Sequence, residues 1–153
     1  MRVLIAGSRS LPKGQAPRLL LRLMAALPED TVVLLRRGKG TEPGEFERGV
    51  ANLSHVLHLE VQWCKPSPSP ENPGRVSVYV RDMEMVERAD FAVLFFTKME
   101  HEEGYSGTMH LLDKCLDAGL PVHAYTVGQM SGKVERAGDY DPDHQFDQYS
   151  LAT

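Results

Sequence analysis

Phe91-Ala92-Val93-Leu94-Phe95-Phe96 is an unbroken apolar run, too short to span a membrane and lacking the alternation of a strand with one wet face. Such a run is buried on both faces, and only layers packed above and below a sheet can do that. Val3-Leu4-Ile5-Ala6, Thr31 to Leu35 and Val122 to Thr126 repeat the pattern, each short, apolar and rich in β-branched residues. Leu59, Val61 and Trp63 alternate with polar residues, which predicts a half-exposed strand at a sheet edge.

Helical stripes fall between these runs. Leu19, Leu20, Leu23, Met24 and Leu27 mark a first helix. Phe46, Val50, Leu53 and Leu57 mark a second, beginning near Pro43. Val76, Val80, Met83 and Val86 mark a third. Leu111, Leu112, Cys115 and Leu116 mark a fourth, capped by Gly119 with Pro121 beyond it. Pro66, Pro68, Pro70 and Pro73 predict a stiff loop before the third helix, and Thr97 to Gly107 a polar loop before the fourth.

Strand and helix alternate throughout, so right-handed crossovers give a Rossmann-like three-layer α/β sandwich. The expected sheet is five-stranded and parallel, in the order 3-2-1-4-5, over residues 1–128. The switch point then lies between the first and fourth strands. Residues 129–153 read as an acidic tail, disordered or packed on a partner. Five acids against Lys133 and Arg136 give it −3 of the total charge of −4.

The near-neutral body argues against duplex or single-strand nucleic acid, which needs a basic face. No apolar run reaches the length of a membrane span, and the short strand-like run at the start leads to the expectation of no signal peptide. Two cysteines make no disulfide framework, so a cytoplasmic protein is expected. Asp139, Asp141, Asp143 and His144 lack the glycine and terminal glutamate of a calcium loop, so no metal site is expected. Cys115, on an apolar stripe, reads as core.

In an open parallel sheet, ligands bind at the carboxyl ends of the strands, beside the switch point. Three segments fall there. The first strand is followed by Gly7, Ser8, Arg9 and Ser10. The second is followed by Arg36, Arg37, Gly38, Lys39, Gly40 and Thr41. After the fourth and its loop, Ser106, Gly107 and Thr108 open a helix, with His110 in its first turn. Glycines admit close approach, helix N-termini carry partial positive charge, and the arginines and lysine add full charges. These are the ingredients of an anion site for a nucleotide-like ligand. Neither G-x-G-x-x-G nor G-x-x-x-x-G-K-[ST] occurs, which removes support for nicotinamide redox chemistry and ATP hydrolysis, and no cofactor is expected.

Met1-Arg2-Val3-Leu4-Ile5-Ala6-Gly7-Ser8-Arg9, Gly38-Lys39-Gly40-Thr41, Arg81 to Asp90, Ser106-Gly107-Thr108 and Ala118-Gly119-Leu120-Pro121-Val122 occur in an order that resembles the SLOG superfamily. That superfamily contains Rossmann-like nucleotide-ligand domains, among them the Lonely Guy phosphoribohydrolases and the Rossmann domain of DNA-processing protein A. The resemblance implies a nucleotide-derived ligand, a role for Arg81 at the site, and pairing into a homodimer through helices beside the ligand edge. The wide apolar face of the third helix (Val76, Val78, Tyr79, Val80, Met83, Met85, Val86) fits such a dimer.

The Lonely Guy enzymes carry a catalytic glutamate soon after their Gly-Thr pair. Here Met109-His110-Leu111-Leu112 follows instead. N-glycosidic cleavage needs a carboxylate, for which Glu100, Glu102 and Glu103 are the candidates. The resemblance therefore favours a binding or sensing module, with nucleotide N-glycosidase as the alternative.

Overall fold

Alternate residues of each buried strand part to opposite faces of one sheet, and each face meets its own pair of helices. The strands are β1 (Arg2–Gly7), β2 (Val32–Arg36), β3 (Glu60–Cys64), β4 (Ser67–Pro68), β5 (Val76–Ser77), β6 (Phe91–Thr97), β7 (Val122–Val127) and β8 (Val134–Tyr140). The helices are α1 (Pro17–Ala25), α2 (Glu45–Val56), α3 (Val78–Arg88), α4 (Lys98–Glu103) and α5 (Gly107–Asp117). The computed structural model describes residues 1–9, 11, 17–37, 43–72, 74, 76–103, 107–128 and 134–140, and for 17, 76, 101–103 and 134–140 the backbone alone.

Five strands are parallel, in the order β3-β2-β1-β6-β7, as the alternation of runs and stripes predicts. Val3, Ile5, Val33, Leu35, Val93 and Phe95 pack on one side with Leu20, Leu23 and Met24 of α1 and Val50 of α2. Leu4, Ala6, Leu34, Ala92, Leu94 and Phe96 pack on the other with Met85 and Val86 of α3 and Leu111, Leu112 and Cys115 of α5. The result is the expected three-layer sandwich. Exposure alternates along β3, with only Cys64 buried, as suits an edge strand.

Three segments depart from the sequence reading. Residues 134–140, assigned to the tail, form a sixth strand antiparallel to β7, with a register shift at Ala124/Tyr125. Polar side chains hid it, because an edge strand needs no continuous apolar run. The tail residues 129–133 and 141–153 lie outside the described residues, as do the side chains of 134–140. The polar loop after β6 contains helix α4, whose start is capped when Glu100 N donates to Thr97 Oγ1 at 3.1 Å. The proline-rich stretch pairs Ser67–Pro68 with Val76–Ser77, so Val76 belongs to a strand rather than to the third helix. That helix begins one residue past Ser77, whose Oγ accepts from Val80 N at 3.2 Å.

Gly119 closes α5 with φ +69, the left-handed conformation its position requires. Leu120 N donates back to Cys115 O at 2.9 Å.

Candidate functional site

Because the central strands are parallel, β1, β2 and β6 end at one edge, at Gly7, Arg36 and Thr97. Arg36 organises that edge. Its Nη2 donates to the Gly7 carbonyl at 3.0 Å and to Thr108 Oγ1 at 3.2 Å. The same nitrogen lies 3.8 Å from Glu47 Oε1. Gly7 ends the central strand, Thr108 lies in the first turn of α5 on one face, and Glu47 lies in the first turn of α2 on the other. One guanidinium therefore ties the two helix layers together across the end of the sheet.

The side chains of Arg36 and Glu47 are only 13% and 10% exposed. Burial lowers the Arg36 pKa, an effect opposed by Glu47 and Asp82 and reinforced by Arg81 and Arg9. Burial raises the Glu47 carboxyl, against the pull of Arg36, Arg9 and Arg81. Arg9, exposed on the turn after β1, thus belongs to the same electrostatic cluster.

A second cluster flanks the first. Ser8, buried beyond Gly7, has its backbone N–H on Phe95 O at 3.0 Å. Its hydroxyl donates to Glu100 Oε1 at 2.5 Å, and Thr97 Oγ1 donates to that oxygen at 3.1 Å. A carboxylate on α4 is thereby oriented by two hydroxyls at the ends of β1 and β6, the switch point of the sheet.

The segments expected to converge do so at Gly7, Ser8, Arg36 and Thr108. The arginine that joins them stood in the sequence only as one of a basic run. Gly7 has a reason of its own. A Cβ there would lie 2.6 Å from Cγ of the Phe46 ring, which packs 5.5 Å from Phe95, so this glycine admits a phenylalanine from α2. Gly107 is exposed and has open space around the position of a Cβ.

Arg81 is buried and braces the chain. Its Nε and Nη2 each lie 2.9 Å from Asp82 Oδ1, and Nη1 donates to the Arg37 carbonyl at 2.9 Å. It holds the carbonyl of the residue that follows β2, Arg37, which is itself half-buried. His110 is exposed and sits edge-on to Tyr79 of α3, with ring centroids 6.2 Å apart. Gly38, Lys39, Gly40, Thr41 and Ser106 lie outside the described residues, as do the side chains of Glu102 and Glu103.

Glu47 escaped the sequence reading, although Glu47, Val50 and Ser54 form the buried stripe of α2. An acid at i with apolar and small residues at i+3 and i+7 was the available signal. Asp82, buried beside Arg81, gave no comparable one.

Fold and edge together define a Rossmann-like α/β protein with an arginine-centred polar site at the carboxyl ends of its central strands. No protein-family model, curated protein or solved structure matches the chain.

Proposed function

We propose that this chain binds a nucleotide or nucleotide-derived ligand at the carboxyl edge of its sheet, with the phosphate near Arg36, Arg9 and the first turn of α5. The reading is that of a SLOG-type sensor or sequestering module. The observation that carries it is the Arg36 guanidinium, held on the rim by Gly7 O and Thr108 Oγ1. A half-buried guanidinium beside a helix N-terminus at a topological switch point suits a phosphate in charge and in hydrogen-bond geometry. Half-buried Phe46, over Gly7, adds apolar surface where a base or sugar would lie. Thermal-shift screening of the intact chain against nucleoside mono- and diphosphates, cyclic nucleotides and ADP-ribose tests the reading. Stabilisation by a phosphorylated compound, but not by its nucleoside, is the expected result.

Glu100 favours a second reading, a nucleotide N-glycosidase, because its carboxylate is oriented by Ser8 and Thr97 at the same edge. Such a carboxylate is what activation of water or stabilisation of an oxocarbenium-like centre requires. Chromatography for released base decides between the two. Release that collapses in Glu100→Gln would make the protein an enzyme; ligand recovered intact keeps it a binding module.

The proposal includes a two-fold dimer in the cytoplasm. Tyr79 and Met83, one turn apart on α3, are 57% and 51% exposed, which suits an apolar contact. Cys64 and Cys115 are free thiols, as a reducing compartment would keep them. Light scattering on the intact chain is expected to give twice the monomer mass, and a monomer at high concentration would contradict it. Among the described residues no helix is long and apolar enough to cross a membrane.

A further inference from the structure

Three features of the Arg36 centre go beyond a generic anion site. Every polar contact that Arg36 makes with the described residues falls on Nη2, and its Nε and Nη1 are further donors with no partner among those residues. Its counter-ion, Glu47, stands 3.8 Å away, farther than a hydrogen bond reaches. Both side chains are largely withdrawn from water, where charges act on one another more strongly than at the surface.

An anion that takes up the Nε and Nη1 donors of Arg36 therefore arrives beside a carboxylate already facing the same guanidinium. Two negative groups beside one poorly solvated guanidinium disfavour each other's charged form. A dianion that took the proton would give up half its charge and part of its attraction to the arginines, whereas Glu47 can be neutralised by one proton from solvent without that loss.

We infer that Glu47 is the residue that sets the affinity of this site, and that the site takes up its dianionic group together with one proton bound by Glu47. The step balances: the dianion and one solvent proton enter, and the Arg36–Glu47 pair becomes an Arg36–dianion pair beside a neutral carboxylic acid. No covalent bond changes. The freed carboxyl gains an O–H that can donate to the incoming oxygens, so the former counter-ion becomes a ligand. This inference rests on the anion-site reading above and deepens it.

The groups acting on Glu47 allow this role. Burial pushes its carboxyl up, against the pull of Arg36 from β2, its own backbone N–H, Arg9 from the turn after β1 and Arg81 from α3, and burial prevails. Asp82 of α3 acts on Arg36, partly offsetting the repulsion between the arginines. The remaining charges on the elements packed against α2 are exposed, namely Arg18 and Arg22 on α1, Arg2 on β1 and Glu60 on β3. On α2 itself, Glu45, Arg48 and His55 are exposed as well.

Inorganic sulfate is the probe, because it stays dianionic across the neutral range, so any proton taken up on binding is held by the protein. Calorimetric titration of the intact chain in two buffers of different ionisation enthalpy counts the protons taken up per sulfate. The expected result is uptake approaching one proton near neutral pH, with affinity rising about tenfold per unit of pH decrease until Glu47 is already protonated. Glu47→Gln should abolish the uptake, flatten the pH dependence and bind sulfate about tenfold more tightly at neutral pH. Its melting curve shows whether the variant is folded, and the wild-type proton count stands without it. Sulfate that binds without proton uptake overturns this inference and leaves the anion site standing. Sulfate that binds at no pH, up to high millimolar concentration, overturns both.

Discussion

Arg36 Nη2 donates to Thr108 Oγ1 at 3.2 Å, joining the end of β2 to the first turn of α5 across 72 residues of sequence. The same nitrogen caps the carbonyl of Gly7 and faces Glu47. Arg36 therefore has a structural and an electrostatic task, and substitutions separate them.

Replacing Arg36 alone strands the Glu47 carboxylate in a largely buried position. Arg36→Met should cost about 3–5 kcal/mol, whereas Arg36→Met with Glu47→Leu should recover most of that loss. Urea unfolding of the two single variants and the double variant measures it. A double variant as unstable as the sum of the singles would show that the pair is not coupled.

Burial raises the Glu47 carboxyl above the ordinary carboxylate value, so the folded chain holds this proton at pH values where the unfolded chain has lost it. Its contribution is fully present below the unfolded pKa and is lost as pH rises through the folded one. Wild-type stability minus that of Glu47→Gln should therefore fall with rising pH across that window. Chemical denaturation at a series of pH values reads the difference, and a difference that rises with pH would contradict the assignment.

Gly7→Ala should destabilise the fold by about 1–3 kcal/mol, because the new methyl meets the Phe46 ring where it packs on Phe95. A Phe46→Ala background should remove most of this penalty in urea unfolding. If Gly7→Ala is silent, the ring does not hold this position in solution.

Burial pushes Cys115 up to about 12 and also raises Cys64. Since the thiolate is the reacting species, neither should react with an aromatic disulfide reagent at pH 8 until the chain unfolds. Rapid labelling of the native protein would show that α5 or the β3 edge opens readily.

The sheet was legible because burial on both faces demands unbroken apolar runs, which Phe91 to Phe96 and Val3 to Ala6 supply. β8 was not legible, since an edge strand paired on one side can be polar. Gly119 announced its own left-handed turn. His58, at φ 58, makes the corresponding turn after α2 without a glycine. Its cost is met by the surrounding turn, where Leu59 N donates to Ser54 O at 2.8 Å. At the edge, topology placed Gly7, Ser8 and Thr108 near one another. Which arginine joined them depends on side-chain reach, and that does not follow from spacing. Arg81, assigned to the ligand by resemblance, is held by Asp82 and the Arg37 carbonyl.

Amide-resolved NMR of the intact chain, titrated with nucleoside monophosphates and with inorganic phosphate, tests the central claim most directly. If the Arg36 centre binds the phosphate, saturable shifts should concentrate at Ser8, Arg9, Arg36, Gly107 and Thr108 and be lost in Arg36→Met. Shifts confined to the opposite end of the strands, around Arg2, Asp90 and Pro121, or no saturable shift with any of these compounds, would contradict it.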